Sequence, residues 1–263
     1  MAFYIPTGDP DILEATVHTA GPWGPEAQHG GPPSALLVRA MERLDSSVPG
    51  PSRLARITVD ILGPVPVAPV RVSATVSRPG RSVELLDAEL SAGGRAFMRA
   101  RAWRIRTAAV DLPGDGLGAA PPPPAFPDED GHHGGGLGGG FVRAMRWRPV
   151  SGGFDSVGPA VVWACRSMPL VAGEEPSGTQ RLMLLADCGN GLSRVYDIAS
   201  HVFINTDLTV HLHREPVGEW LCIEASTTVD PGGVGLAASR LFDAAGQVGR
   251  GAQALLITAR GRT

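Results

Sequence analysis

Asp187 closes a run of five apolar residues, Leu182 to Ala186, just ahead of Gly189-Asn190. A carboxylate among apolar side chains is costly to hold as an anion, so its pKa rises and it becomes fit to act as a base. The plainer reading is a polar residue that ends a helix before a turn. Gln253 lies between Gly251-Ala252 and the apolar ALLI, and its amide both donates and accepts. It can hold a water, polarise a carbonyl, or simply face solvent on an edge strand. His29-Gly30-Gly31 leads into Pro32-Pro33, which suit a first helical turn. Backbone N–H groups at a helix start can hold an oxyanion, and Gly allows a ligand close approach; a tight turn is the alternative. In NTDLTVHLH, Asn205, Asp207, Thr209, His211 and His213 share one strand face and Thr206 lies on the other, an order that a bulge or a strand end would reverse. That face reads as solvated or as lying between sheets. His211 and His213 alternate as metal ligands can, but no third ligand is evident. A base, an amide and a helix-start anion site are the parts needed for hydrolysis at a carbonyl: an activated water and donors for the oxyanion.

The elements that must position these residues are written twice. RARAWRI (99–105) reads like GAQALLI (251–257), and the same shift sets Gly80 on Gly232 and Gly94 on Gly246. Slightly shorter shifts set Thr58-Val59 on Thr209-Val210 and Pro66-Val67 on Pro216-Val217, and GPPSALLV (31–38) falls on GTQRLMLL (178–185). A drifting shift is what two copies of one unit give when their loops differ in length. Each copy has an apolar helix, over 34–44 and 181–192, followed by strands. The alternation and the Gly and Pro boundaries predict strands at 53–62, 69–78, 81–91 and 95–106, then 201–213, 219–229, 234–243 and 246–260. The stretch before Trp23 reads as irregular. A buried helix followed by an antiparallel sheet, done twice, is an α+β architecture with each curved sheet wrapped around its helix.

Between the copies lies a Pro/Gly-rich segment containing PPPP (121–124) and GHHGGGLGGG (131–140). It predicts a linker over 108–140 that joins an N-terminal unit (1–107) to a C-terminal unit (141–263), stiff at its Pro end and flexible at its Gly end. His132 and His133 within it read as solvated. The net charge of −3 argues against a nucleic-acid partner. All 23 basic residues are Arg, which removes lysine nucleophiles and Schiff bases from consideration. Cys165, Cys188 and Cys222 are widely spaced and odd in number, which predicts buried or free thiols in a reducing cytoplasm. MAFYIPTGDPDIL lacks the features of a signal peptide, and no apolar run is long enough to span a membrane.

HGGPPSALL (29–37), PGRS (79–82), LLADCGN (184–190), NTDLTVHLHREPVGEW (205–220) and LFDAAGQVGRGAQALL (241–256) resemble the acyl-CoA thioesterase II and thioesterase-like family, actinobacterial members most closely. The resemblance implies a double hotdog fold and hydrolysis of an acyl thioester, carried by CoA or by an acyl carrier, with no cofactor and no metal. It implies a water held and activated by Asp187 and Gln253. The family's Ser/Thr falls here on Asn205, a departure that leaves Thr206 and Thr209 as neighbouring hydroxyls. The counterpart of Gln253 in the first copy reads as Arg101 and that of Asp187 lies near Ala40, so one site per chain is expected. His29, Gly30 and Gly31 are the candidate oxyanion and substrate contacts. A CoA phosphate site would need Arg, and the sequence singles out none. Two rivals stand beside this reading. A hotdog dehydratase or hydratase would use a His–carboxylate pair, with His29 as its histidine; an acyl-ligand-binding protein would bind without turnover. Free edges on curved sheets favour a homo-oligomer.

Overall fold

The computed structural model describes residues 1–111, 118–128 and 139–261. The first half contains β1 (Tyr4–Pro6), β2 (Ile12–Ala15), α1 (Gly31–Glu42), β3 (Ser52–Ile61), β4 (Pro69–Arg78), β5 (Val83–Ala92) and β6 (Arg95–Arg106). The second contains α2 (Gly140–Arg143), β7 (Met145–Ser151), β8 (Ala160–Arg166), α3 (Gly178–Ala186), α4 (Gly189–Leu192), β9 (His201–Asn205), β10 (Asp207–Leu212), β11 (Leu221–Val229), β12 (Val234–Asp243) and β13 (Gly246–Ala259). The strands form one antiparallel sheet in the order β1-β2-β4-β5-β6-β3-β10-β13-β12-β11-β8-β7, with β9 paired to β13. The order is a palindrome of the repeat: β3 answers to β10, β6 to β13, β5 to β12, β4 to β11.

The two halves meet at β3 and β10, where Thr58 lies opposite Thr209 and their hydroxyls are 3.2 Å apart. These are the two residues that the repeat makes equivalent. A pseudo-two-fold axis therefore passes between them. The register also corrects one assignment. Thr58 pairs with Arg101 and Thr209 with Ala252, so the counterpart of Arg101 is Ala252 and that of Gln253 is Ala102. Side-chain parity agrees: Ala102 and Gln253 are both buried, whereas Arg101 is exposed on Asp87. Sequence similarity tolerates a slip of one residue, but the pleat does not.

α1 packs on β3 to β6, α3 on β8 and β11, and the helices pack on each other. Alternation places one face of each strand against them, as the burial of every second residue of β5 shows. Leu36, Leu37 and Met41 of α1 join Leu182, Met183 and Leu185 of α3 in a single core that spans both halves. Cys165, Cys188 and Cys222 are buried. No helix among the described residues is long and apolar enough to cross a membrane.

Residues taken as irregular contribute β1 and β2, and Phe3 and Tyr4 are fully buried. The outer edge of β1 is not free: Phe3 and Tyr4 donate to the carbonyls of Pro169 and Leu170. The described part of the interdomain segment is not a loose tether either. Pro121 and Ala125 carbonyls accept from Gln247 N–H and the Trp163 indole, and Phe126 sits edge-on against Trp163 and Trp220. His132 and His133 lie outside the described residues.

Candidate active site

The chain predicted as one strand over 201–213 is broken at Thr206. Asn205 pairs with Leu255 and Thr209 with Ala252. Three residues (206–208) thus face two (253–254), which is a β-bulge. The extra residue reverses parity, so Asn205 turns to the inner face instead of sharing the outer one with Thr209 and His211. Asp207 completes the interrupted ladder by accepting Ala254 N–H at 2.8 Å.

Asp187 is the C-cap of α3, and its carboxylate faces the N-terminus of α1. A Cβ on Gly30 would lie 2.7 Å from Asp187 Oδ2, and one on Gly31 would lie 2.6 Å from the Leu184 carbonyl. Only glycine at these two positions lets the helix ends come this close. The backbone N–H groups of Gly30 and Gly31 hydrogen-bond the carboxylate, capping a helix whose own N-cap residue has no side chain to do so. These N–H groups therefore point at Asp187 rather than into the cavity described below.

Four side chains complete the cluster. Asn205 Nδ2 donates to Asp187 Oδ1 at 2.9 Å. Gln253 Nε2 lies 3.3 Å from both Oδ1 and the Asp187 carbonyl, and its Oε1 accepts Asn190 N–H at 3.0 Å. His29 Nδ1 lies 3.1 Å from Oδ2 and accepts Gly31 N–H at 3.0 Å, while its ring stacks on Phe141 at 4.2 Å. Gly31 N–H is thus shared between His29 Nδ1 and the Asp187 carboxylate. Burial pushes the Asp187 pKa up, against the pull of His29, Asn205 and the two glycine N–H groups. Burial pushes the His29 pKa down, against the attraction of Asp187. Both shifts disfavour charge, which suits a carboxylate able to take and return a proton.

A cavity of about 340 Å³ opens beside this cluster. His29, Gly30, Asp187, Asn205 and Thr206 line its polar end, and its walls include Trp23, Met98, Phe154 and Phe203. Gln253 does not line it; both ends of its amide are engaged behind Asp187. Thr206 does line it, but its hydroxyl donates to the Ala254 carbonyl at 3.4 Å. Asn205 Oδ1 has no hydrogen-bond partner among the described residues, which leaves one acceptor at the cavity wall. His211 and His213 are exposed, and neither lines the cavity. Among the described residues no group of three His, Cys, Asp or Glu is placed to hold a metal. Sequence reasoning missed Phe141 and Asn190; Phe141 is the first large apolar residue after the Gly run, a faint signal.

The pseudo-symmetric position holds different groups. Glu42, at the end of α1, accepts from Ser177 and Gln180 at the start of α3. The first copy's carboxylate is thus two residues beyond Ala40. Glu215 accepts Thr179 N–H and hydroxyl at 2.8 Å each at the start of the same helix.

Comparison with known proteins bears on this arrangement. The model of the acyl-CoA thioesterase N-terminal domain matches residues 19–105, and that of the acyl-CoA thioesterase C-terminal domain matches residues 118–257. No curated protein matches the chain significantly in sequence. Among solved structures, an acyl-CoA thioesterase II, TesB2, from Mycobacterium marinum is similar with TM-score 0.65 and 15% identity, over 98% of this chain and 96% of that one. A conserved hot dog protein from Alicyclobacillus acidocaldarius is similar with TM-score 0.67 and 16% identity, over 97% and 96%. The dehydratase domain of a curacin polyketide synthase module reaches TM-score 0.54 at 9% identity, over 97% and 96%. At these identities the structural likenesses establish the double hotdog fold, and the two domain models, which cover most of the sequence in the order N-terminal then C-terminal, place the chain in the acyl-CoA thioesterase family.

Proposed function

We propose that the protein hydrolyses an acyl thioester to a free acid and a thiol, with Asp187 as the general base. The observation that carries this reading is the buried Asp187 carboxylate at the polar end of an apolar cavity, held by Asn205, Gln253 and His29. Asp187 reacts as the carboxylate, its anion held by the Gly30 and Gly31 N–H groups and by Asn205. Asn205 donates to Asp187 through Nδ2 and accepts from the attacking water through Oδ1, so an amide does the work of the family's hydroxyl. Asp187 takes the proton as the water oxygen bonds to the thioester carbon. The oxyanion forms at the His29-Gly30 end, where the positive end of the α1 dipole lies. Collapse breaks the C–S bond, and the proton on Asp187 passes to the departing sulfur. Gln253 is a positioning residue, fixing Asp187 and Asn190 from behind.

The test is thiol release from a panel of acyl-CoAs by wild type and Asp187→Asn. A fall in kcat/KM of ~10²-fold or more in a folded variant is expected. Unchanged turnover would remove Asp187 from the mechanism, and binding without turnover by wild type would mark an acyl-ligand-binding protein. The His29–Asp187 contact across the two halves favours a second reading. In a dehydratase, His29 would take the α-proton of a 3-hydroxyacyl thioester and Asp187 would protonate the departing hydroxyl, giving enoyl thioester and water. Enoyl absorbance that appears with wild type and vanishes in His29→Gln would favour it.

A further inference from the structure

Phe154 lines the cavity beside Asp187, and it also lines a second cavity, of about 320 Å³. Among the described residues no other is common to the two linings. The second cavity is bounded by the apolar Trp147, Pro149, Val162 and Leu192, with the exposed Asp155 and Ser156 at its rim. The Phe154 ring stands edge-on to Trp147, with centroids 4.9 Å apart, and its Cε1 lies 3.5 Å from where a Cβ on Gly191 would be. Gly191 lines the first cavity and Leu192, the next residue of α4, lines the second. The ring therefore fills the gap between α4 and β7 that separates the two spaces. Phe203, another wall of the first cavity, backs onto a void beside Thr227, Leu255 and Ile257 that has no room for a water. The backbone holds the Phe154 ring in place. Phe154 lies in the turn SGGFDSVG (151–158) that follows β7. Its carbonyl accepts Arg194 Nη1 at 2.6 Å, and Gly158 N–H donates to the Arg194 carbonyl at 2.8 Å, so one residue ties the turn at two points.

We infer that Phe154 is the residue that sets acyl-chain length: its ring ends the chamber that begins at Asp187, and a straight alkyl chain enters the second cavity once the ring is made smaller. The inference rests on the thioester reading above and deepens it. Each methylene that leaves water for an apolar site strengthens binding about fourfold. A chain growing from Asp187 gains this until it meets the ring, and then the gain stops. The about 320 Å³ behind the ring, at ~30 Å³ for each atom-sized group, is room for roughly ten more carbons. One aromatic side chain thus divides a space that is otherwise nearly twice as long.

The test reads binding apart from turnover. Straight-chain S-alkyl thioethers of CoA, which have no carbonyl to hydrolyse, are titrated calorimetrically in order of chain length into wild type, Phe154→Ala, Phe154→Leu and Phe154→Trp. The quantity read is the length at which the gain per methylene stops, so a loss of affinity common to all lengths does not disturb it. In wild type the gain of about fourfold per methylene is expected to stop near a dozen heavy atoms. In Phe154→Ala it should continue for several carbons more, in Phe154→Leu the stop should move the same way by less, and in Phe154→Trp it should stay or come earlier. A stop at the wild-type length in folded Phe154→Ala and Phe154→Leu would overturn the assignment, and so would thioethers of every length failing to bind. Thiol release from acyl-CoAs by the same wild-type sample tests hydrolysis separately. A stop that moves in Phe154→Ala without any thiol release by wild type would refute the hydrolase and leave Phe154 as the wall of an acyl-binding site.

Discussion

Replacing Asn205 by Ala removes the 2.9 Å donor from Asp187 Oδ1 and leaves that oxygen with the longer 3.3 Å contact from Gln253. A hydrogen bond to a charged group contributes about 1.5–3 kcal/mol. Losing it destabilises the ionised carboxylate relative to the acid, so Asp187 binds its proton roughly ten- to a hundredfold more tightly. Burial already raises that pKa, and the change adds in the same direction. Activity requires the anion, so the acid limb of kcat/KM against pH moves to higher pH, by about one to two units. The plateau falls as well, because the Oδ1 acceptor for water is gone. Asn205→Thr restores a hydroxyl donor and should bring the limb part of the way back. The assay is thiol release from one acyl-CoA between pH 5 and about 9, with near-ultraviolet circular dichroism confirming that each variant is folded. A lowered plateau with an unmoved acid limb would refute the link between Asn205 and the ionisation of Asp187.

His29 gives a stability signature of its own. Its pKa is lowered in the folded state, so protons bind the unfolded chain more tightly, and stability falls as pH drops below about 6.5. Thermal melts should show this decline in wild type and a flatter profile in His29→Gln; parallel profiles would exclude it. Phe126, 44% exposed between Trp163 and Trp220, should cost ~1–2 kcal/mol when changed to Ala, about half the value of a fully buried Phe. Urea denaturation reads this loss, and kcat/KM should not move. A cavity of about 340 Å³, at ~30 Å³ for each atom-sized group, admits acyl groups of roughly a dozen heavy atoms. kcat/KM is expected to rise to that length and then fall, and a flat dependence on chain length would count against the cavity as the acyl site.

The architecture was legible where patterns are local. β4 and β6 run over the residues that alternation predicts, and α1 lies within a turn of its expected position, but the helix expected over 181–192 is two, with α3 ending at Ala186 and α4 starting at Gly189. β1 has three residues and ends on Pro6, too little for any period to register, and Pro149 masked β7. β8 left a usable trace in the continuous run Val161 to Cys165. The turn of Asn205 toward Asp187 was not legible. No Gly or Pro marks Thr206, and the bulge is set by the partner strand, where two residues answer three. The meeting of His29 with Asp187 likewise depends on the crossing of helices 150 or so residues apart, which local propensity does not encode.

The pairing of Thr58 with Thr209 has an evolutionary reading. A strand that pairs antiparallel with its own copy is the seam of an isologous dimer, so this polypeptide is a symmetric dimer written in tandem. Once the copies share one chain, each can mutate without altering the other. One end has glycines before a helix and a cavity beside Asp187; at the other, Glu215 accepts the N–H and hydroxyl of Thr179. Two copies in one chain are free to differ, so one end can hold a cavity while the other only joins the halves.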